Sequence, residues 1–567
     1  MGVAPATFSS AGQISQHYIP GAYSRRNFIN NQGGGVSSGN VCIFGYSELG
    51  EPQKLLVFDS ANNARSALSS GAGLDGVIQA FNPGGGYVPQ QIGFMRVNPG
   101  TQSSRTLLLS AADVFGITSF DYGVPMNQLR LKYSAGSTMG TYKIETEYKG
   151  AEEETDNITR ESFSIQYTGA GTPATMTINA TTLATTCTGA GTDDLSITLL
   201  DYPTISELVQ FIDNQTNWSA TVITSTVTQL SSLIDAVTAV DVLSTAYTVK
   251  SDYQALYEAL ASNYYIDSVT KEGTIRAVPT VDSDYVYFAG GTSGAYTTSE
   301  FTDSLEVAEE EDIQLISTVS VDAAVHTLIK NHCVTMSGVE GRKERQFYVG
   351  GTTGEDVDAT VARALVLNSE YGSLCYPGFY NYDDAGVETL YSPAYYACQQ
   401  VGMVSSIGLN VPTTQKTANI IKWETNLTRA NKNALIKGGV LCGARDDIGQ
   451  YITVRSITTY QSALLQKNEA SIMREALYQS RDLRERMAAL IGTPNVGNDQ
   501  LATVDSIFER AIHDWYGIGI ILASGGVLYN GYTRRISGDQ IVLEYNTWDT
   551  APTNFVFITH NISVLST

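Results

Sequence analysis

Two stretches of the chain alternate short apolar runs with helical periodicity, and a long Thr-, Ser- and Gly-rich interval separates them. That interruption restricts the architecture more than any motif. Before it, Val41-Cys42-Ile43-Phe44-Gly45 reads as a buried strand, Ser60 to Ser70 as a helix behind a Ser60 cap, and Gln91 to Val97 as the next strand. After it come a strand from Asp312 to Val319, a helix from Asp322, a strand from Gln346 to Val349, a helix from Val357 to Asn368 and a strand near Leu374. Strands alternating with helices of this length predict a mixed α/β layer. The interval itself, about 111 to 300, predicts short strands of Thr, Val, Ile and Tyr between turns, hence a mostly β domain inserted into the α/β one.

Charge follows the same division. Residues 145 to 320 hold 27 acidic and 5 basic residues, net -22, against -23 for all 567 residues. The block is therefore expected to face solvent. A surface so acidic does not grip nucleic acid or an anionic membrane without a cationic patch, so neither partner is expected. No run reaches the roughly 18 apolar residues needed to cross a bilayer, and the first residues, MGVAPATFSS, have no signal-peptide pattern. Cys42, Cys187, Cys333, Cys375, Cys398 and Cys442 are too scattered for a zinc site and read as buried thiols of a reducing compartment.

Candidate chemistry is sparse. Gly71-Ala72-Gly73-Leu74-Asp75-Gly76 matches the dinucleotide pattern G-x-G-x-x-G, but a helix rather than a strand precedes it, so these glycines are expected to end a helix and turn. His326 and Cys333 share a helix face with no third ligand, and His332 lies off it, which predicts core histidines rather than a metal site. Glu309-Glu310-Glu311-Asp312 lacks the alternating oxygens and turn glycine of a calcium loop. No nucleophile elbow, P-loop or H-E-x-x-H is present, and 5 histidines offer little general base. No catalytic, cofactor or metal residue is assigned.

The signals that remain concern contact. Tyrosine is abundant, at 33 residues, and supplies contact area at low entropic cost. A long helix is predicted from Leu464 to Ile491, with Leu465, Ile472, Ala476, Leu483, Met487 and Leu490 in an apolar stripe and Lys467, Arg474 and Arg481 every seventh residue opposite it. A loop through Pro494 and Asn495, a helix from Leu501 to Trp515 and strands at Gln540 to Tyr545 and Phe555 to Val564 follow. The first forty residues form an extended arm ending in a hinge at Gly33 to Gly35, and carry Tyr18, Ile19, Tyr23, Phe28 and Ile29 with no core of their own. At the other end, Val556, Ile558, Ile562 and Val564 alternate with Phe555 and Phe557, the pattern of a half-buried strand.

Several segments together resemble contractile-tail sheath proteins of bacteriophages. At the start these are Val41 to Gly45 through Gly50-Glu51-Pro52, Leu74 to Phe81, Gly84 to Gly86 and Phe94-Met95-Arg96-Val97. Towards the end they are Ser392 to Ala397, Asn431 to Val440, Ile452 to Ile457 and Gly492 to Asn495; the segment Leu441 to Arg445 departs from the family's pattern. The likeness spans about 41 to 100 and 312 to 567 and leaves the middle block unmatched. It implies a multidomain α/β (α+β) fold: an arm at 1–40, an α/β domain of 41–110 plus 301–390, an inserted acidic outer domain at 111–300, a C-terminal α/β domain at 391–550 facing the tube, and an arm strand at 551–567. It implies a structural protein, not an enzyme, with no cofactor or metal. Such a protein forms a helical stack of rings in the virion tail, is assembled in the host cytoplasm, and has the tail tube, baseplate and neck or terminator proteins as partners. Lys467, Arg474 and Arg481 would then face the tube, and the two arms would join neighbouring subunits by strand exchange. A Tyr- and Thr-rich virion surface adhesin, resting on the inserted block, and a nucleotide-cofactor enzyme, resting on Gly71 to Gly76, are the alternatives.

Overall fold

The computed structural model describes residues 6–10, 13–17, 37–223, 226–273, 276–494, 497–557 and 559. Internal contacts divide the chain into two units, 37–481 with 549–567 and 1–36 with 482–548.

The larger unit is built on one eight-stranded sheet. Its elements in chain order are β1 (Val41–Gly45), β2 (Leu55–Phe58), α1 (Ala61–Leu68), α2 (Ala72–Phe81), β3 (Ile92–Arg96), α3 (Thr298–Ala308), β4 (Leu315–Thr318), α4 (Ala323–Met336), β5 (Gln346–Gly350), α5 (Val357–Leu367), β6 (Gly372–Tyr376), α6 (Pro393–Ser406), α7 (Arg429–Lys437), β7 (Val440–Arg445) and β8 (Tyr451–Thr453). The strand order is β8-β7-β6-β5-β4-β1-β3-β2. The six inner strands are parallel, while β2 and β8 run antiparallel at the edges. Every residue of β1, β3, β4, β5 and β6 is buried, as a parallel sheet covered on both faces requires. Val77, Phe94, Tyr396 and Val401 pack one side, with α1, α2 and α6; Phe301, Ile329, Phe347 and Leu435 pack the other, with α3, α4, α5 and α7.

The glycine run at 71–76 plays a different part from the expected turn. Helix α1 does end at Leu68, but Gly71 caps a new helix, α2, at φ 120°, and Gly73 and Gly76 lie inside it. A Cβ on Gly73 would meet the Phe94 ring at 2.4 Å and the Tyr46 carbonyl at 2.7 Å, and one on Gly76 would meet Val319 at 2.5 Å. The glycines let α2 lie directly on the sheet, a requirement of packing that a turn rule does not detect. His326, His332 and Cys333 are buried in α4 as expected, and all six cysteines are free and buried. Among the described residues no three His, Cys, Asp or Glu side chains are grouped to hold a metal ion, and no helix is long and apolar enough to cross a membrane.

The insertion leaves the sheet after β3 and closes on itself through bridges pairing Thr101 with Thr292 and Ser104 with Ala289. Its first strand, Gln102–Leu109, pairs with Ala112–Tyr122, so it begins near Thr101, earlier than the expected residue 111. Two cores fill it. Phe115, Leu131, Tyr133, Ile144 and Leu256 form one, and Phe163, Ile165, Met176, Leu208 and Ile212 the other, each with a helix packed on antiparallel strands. The strand Tyr142–Tyr148 alternates buried and half-exposed residues, and on its outer face Lys143 bridges Glu145 at 3.0 Å and Glu154 at 2.9 Å. Arg96, fully buried at the end of β3, joins insertion to sheet: it donates to the carbonyls of Gly50 (2.7 Å), Tyr122 (3.4 Å) and Ser293 (3.0 Å). Asn98 donates beside it to Ser47 O at 3.0 Å and Ser293 O at 2.5 Å.

Candidate assembly surfaces

The residues singled out for assembly fall in three places: the two arms, the predicted long helix and the terminal strands. Tyr18, Ile19, Tyr23, Phe28 and Ile29 of the N-terminal arm, and Ile558 and Ile562 of the C-terminal one, lie outside the described residues. The start of the chain is more regular than an extended arm, because Ala6–Ser10 and Gln13–His17 pair as an antiparallel hairpin. At the other end Phe555, Val556 and Phe557 are 67%, 75% and 92% exposed, so they share no core with their own subunit. No strand forms at 555–557; the Phe555 and Phe557 rings lie on one side, centroids 6.2 Å apart. Three consecutive exposed apolar residues are unusual on a folded surface.

The predicted helix at 464–491 is interrupted. A single turn, Leu465–Asn468, ends at Glu469, whose extended backbone (φ -88°, ψ 120°) precedes α8 (Ala470–Met487). The cause is electrostatic and comes from distant segments. Glu469 is fully buried and accepts from Arg455 Nε at 2.8 Å and Asn554 Nδ2 at 3.0 Å, partners that a continuous helix would not offer it. The expected line of positive charge is broken with it. Lys467 sits on the separate turn, with a half-buried ion pair to Glu370 at 2.9 Å. Arg474 is only 7% exposed and donates to the carbonyls of Gly408 (3.4 Å), Ser38 and Ile407 (both 3.5 Å). Arg481 pairs with Asp312. A heptad of cations reads as a solvated stripe only where the surroundings are water, and here backbone carbonyls of other segments meet the middle one. Burial pushes the Arg474 guanidinium down to about 10 and, with the charge of Asp549, pushes the Glu475 carboxyl up to about 9.

In the smaller unit, α9 (Asn498–Gly517) carries a hairpin of β9 (Tyr529–Ser537) and β10 (Gln540–Thr547). Tyr529, Tyr532 and Tyr545 close around Phe508, with ring centroids 4.9, 4.6 and 4.9 Å from it. Trp515 Nε1 donates to Asp482 at 2.8 Å, and Arg486 spans Asp482 and Asp514 at 2.8 Å each. β10 was legible as a strand, whereas β9 was missed. Its signal is the Gly538-Asp539 turn joining the two. Among the described residues this sheet has two strands only, a size that is marginal alone and leaves backbone groups available at its edges.

This architecture, a doubly covered α/β sheet interrupted by a two-core insertion and followed by a helix-backed hairpin, is similar in fold to solved sheath tail proteins. Crystal structures of sheath tail proteins from Desulfitobacterium hafniense and Listeria innocua superpose with TM-scores of 0.56 and 0.57. They are 14% and 12% identical to this chain; the first comparison covers 94% of it and 97% of the Desulfitobacterium chain, the second 91% of it and 93% of the Listeria chain. In sequence the chain is similar to the tail sheath protein of Bacillus phage SP01, 25% identical over 547 residues, 92% of this chain and 91% of the phage protein. No family model matches. By fold and by sequence, then, the chain is similar to tail sheath proteins. A match of that extent runs through most of the inserted block, beyond the segments 41 to 100 and 312 to 567 that carry the resemblance.

Proposed function

We propose that this chain polymerises into the helical contractile sheath around a bacteriophage tail tube and acts as a structural component of the virion tail, not an enzyme. The exposed Phe555, Val556 and Phe557 carry the reading: an apolar segment held at its root by Asn554 and buried nowhere on its own subunit calls for another chain. The arms of one subunit add as strands to the β9–β10 hairpin of a neighbour, gaining backbone hydrogen bonds without a rigid interface. A joint near Pro552 lets subunit bodies turn during contraction while these links persist; the hinge expected at Gly33 to Gly35 lies outside the described residues.

Within that assembly the acidic insertion forms the outer surface, the tail tube lies inside, and baseplate and neck or terminator proteins bind the ends. Assembly takes place in the host cytoplasm. Tube contact is assigned first to Lys467, the most exposed of the three, which would exchange Glu370 for the tube; Arg481 would likewise exchange Asp312, and Arg474 acts from within the subunit.

Negative-stain microscopy of the purified protein tests the reading, with long tubes of constant diameter expected. Removing residues 1–30 should leave a folded subunit that forms no tubes. Tubes of normal length from the truncated chain would overturn the strand-exchange link, and a failure of the intact chain to form tubes with or without tail tube protein would overturn the sheath reading.

A further inference from the structure

The short segment from Glu469 to Arg481 contacts the roots of both arms, the N-terminal one of which is also held by Gln314 and Leu315. On the N-terminal side, the Asn40 amide donates to Gln314 Oε1 at 2.9 Å, its side chain donates to Asp312 Oδ2 at 3.0 Å, and its carbonyl accepts from Gln314 N and Leu315 N, both at 3.0 Å. Arg481 pairs with that same Asp312, and Arg474 reaches the Ser38 carbonyl. On the C-terminal side, Gln479 Nε2 donates to Asp549 Oδ1 at 2.9 Å, and Asn554 donates to Glu469, which Arg455 also holds. Arg455 lies over the Phe555 ring, 5.6 Å from its centroid, at the point where the exposed apolar residues begin.

At about 100° per residue, Arg474 and Arg481 share one side of α8, and Glu475 and Gln479 lie about a third of a turn round it. Arg474, Glu475 and Gln479 are 7%, 0% and 5% exposed, so this helix buries polar side chains where leucines would hold it in place at lower desolvation cost. Apolar side chains would bind the helix to any nearby surface. Arg474 and Gln479 bind it instead to the Ser38 carbonyl of one root and the Asp549 carboxylate of the other.

We propose that Glu469–Arg481 is a coupling bar that links the two arm roots, so that displacement of one root is passed to the other through this helix as well as through the sheet end that holds Asn40. The inference rests on the reading of the arms as strand-exchange links, and it makes Arg474 and Gln479 positioning residues for those links. A subunit pulled at one arm would shift the other, which spreads a change of state along the stack.

Hydrogen exchange of the full-length subunit, followed at the amides of 40–42 and of Thr550, whose N–H bonds Glu475, tests it. Arg474→Met, at the N-terminal root, is expected to raise exchange at both roots by about tenfold while β5 keeps its protection. Gln479→Leu, at the C-terminal root, is expected to do the same. Exchange that rises only at the root nearest each substitution would overturn the coupling. If Arg474→Met does not fold, Arg474→Lys keeps the charge and loses the forked donors, and the same two readings apply. Microscopy of the chain lacking residues 1–30 separates this from the strand-exchange reading. Tubes formed without the arm would remove the exchange link and leave a reciprocal response standing, while one-sided exchange in a chain that needs its arm would remove the coupling alone.

Discussion

The central sheet and the acidic insertion use the same chain to solve opposite problems. In the sheet five strands are buried along their whole length, because helices cover both faces; in the insertion the strands alternate, as in Glu161–Tyr167, where Phe163, Ile165 and Tyr167 point inward. A fully buried strand has no position free for charge, so the excess acid collects where alternation leaves an outer face. The difference shows that the charge asymmetry of this protein follows from sheet type as much as from any partner. The two regions meet through the buried Arg96 and Asn98 and not through a flexible linker, which makes the insertion an extension of β3.

The largest effects should come from emptying each core in turn. Phe94→Ala and Phe163→Ala should each cost about 3–5 kcal/mol in urea unfolding, but Phe163→Ala should raise hydrogen exchange only within 161–250, while Phe94→Ala loosens the whole sheet. Loss of sheet protection in the Phe163 variant would show the two regions to be one cooperative unit. Somewhat smaller is Arg96→Met, which leaves the carbonyls of Gly50, Tyr122 and Ser293 without their donor and should cost about 3 kcal/mol, seen as early exchange at 101–104 and 289–293. An unchanged denaturation midpoint would mean that the insertion is held by its strand bridges alone.

The most gradual effect is with pH and, in the sheet's helices, lies with two histidines of α4. Burial pushes His326 down to about 4, and burial together with the nearby Arg345 pushes His332 down to about 3. Their folded values lie below the unfolded value of about 6.5, so the stability they contribute is complete above that pH. It falls by about 1.4 kcal/mol per pH unit for each histidine as the pH drops from 6.5 towards 4. Replacing His332 with Gln should flatten the difference in stability between pH 6.5 and pH 5; a slope equal to that of the unaltered protein would assign acid sensitivity to the carboxylates of the insertion.

From its sequence alone the chain declared the α/β layer, its interruption, the acidic character of the inserted block, the buried cysteines and histidines and the last long helix. These follow from local period and composition, which depend on whether a segment is covered on one face or two. Tertiary structure decided the rest. Gly73 reads as a turn residue until Phe94 and Tyr46 are set against it, and Arg474 reads as solvated until the carbonyls of Ser38, Ile407 and Gly408 arrive from segments 66 to 436 residues away. Glu469 breaks a helix that its own sequence favours because Arg455 and Asn554 offer it better partners in an extended conformation. Periodicity shows which face of an element is apolar, but a charged side chain lies in water or in a core according to what the distant chain brings to it, and that is written in no local window.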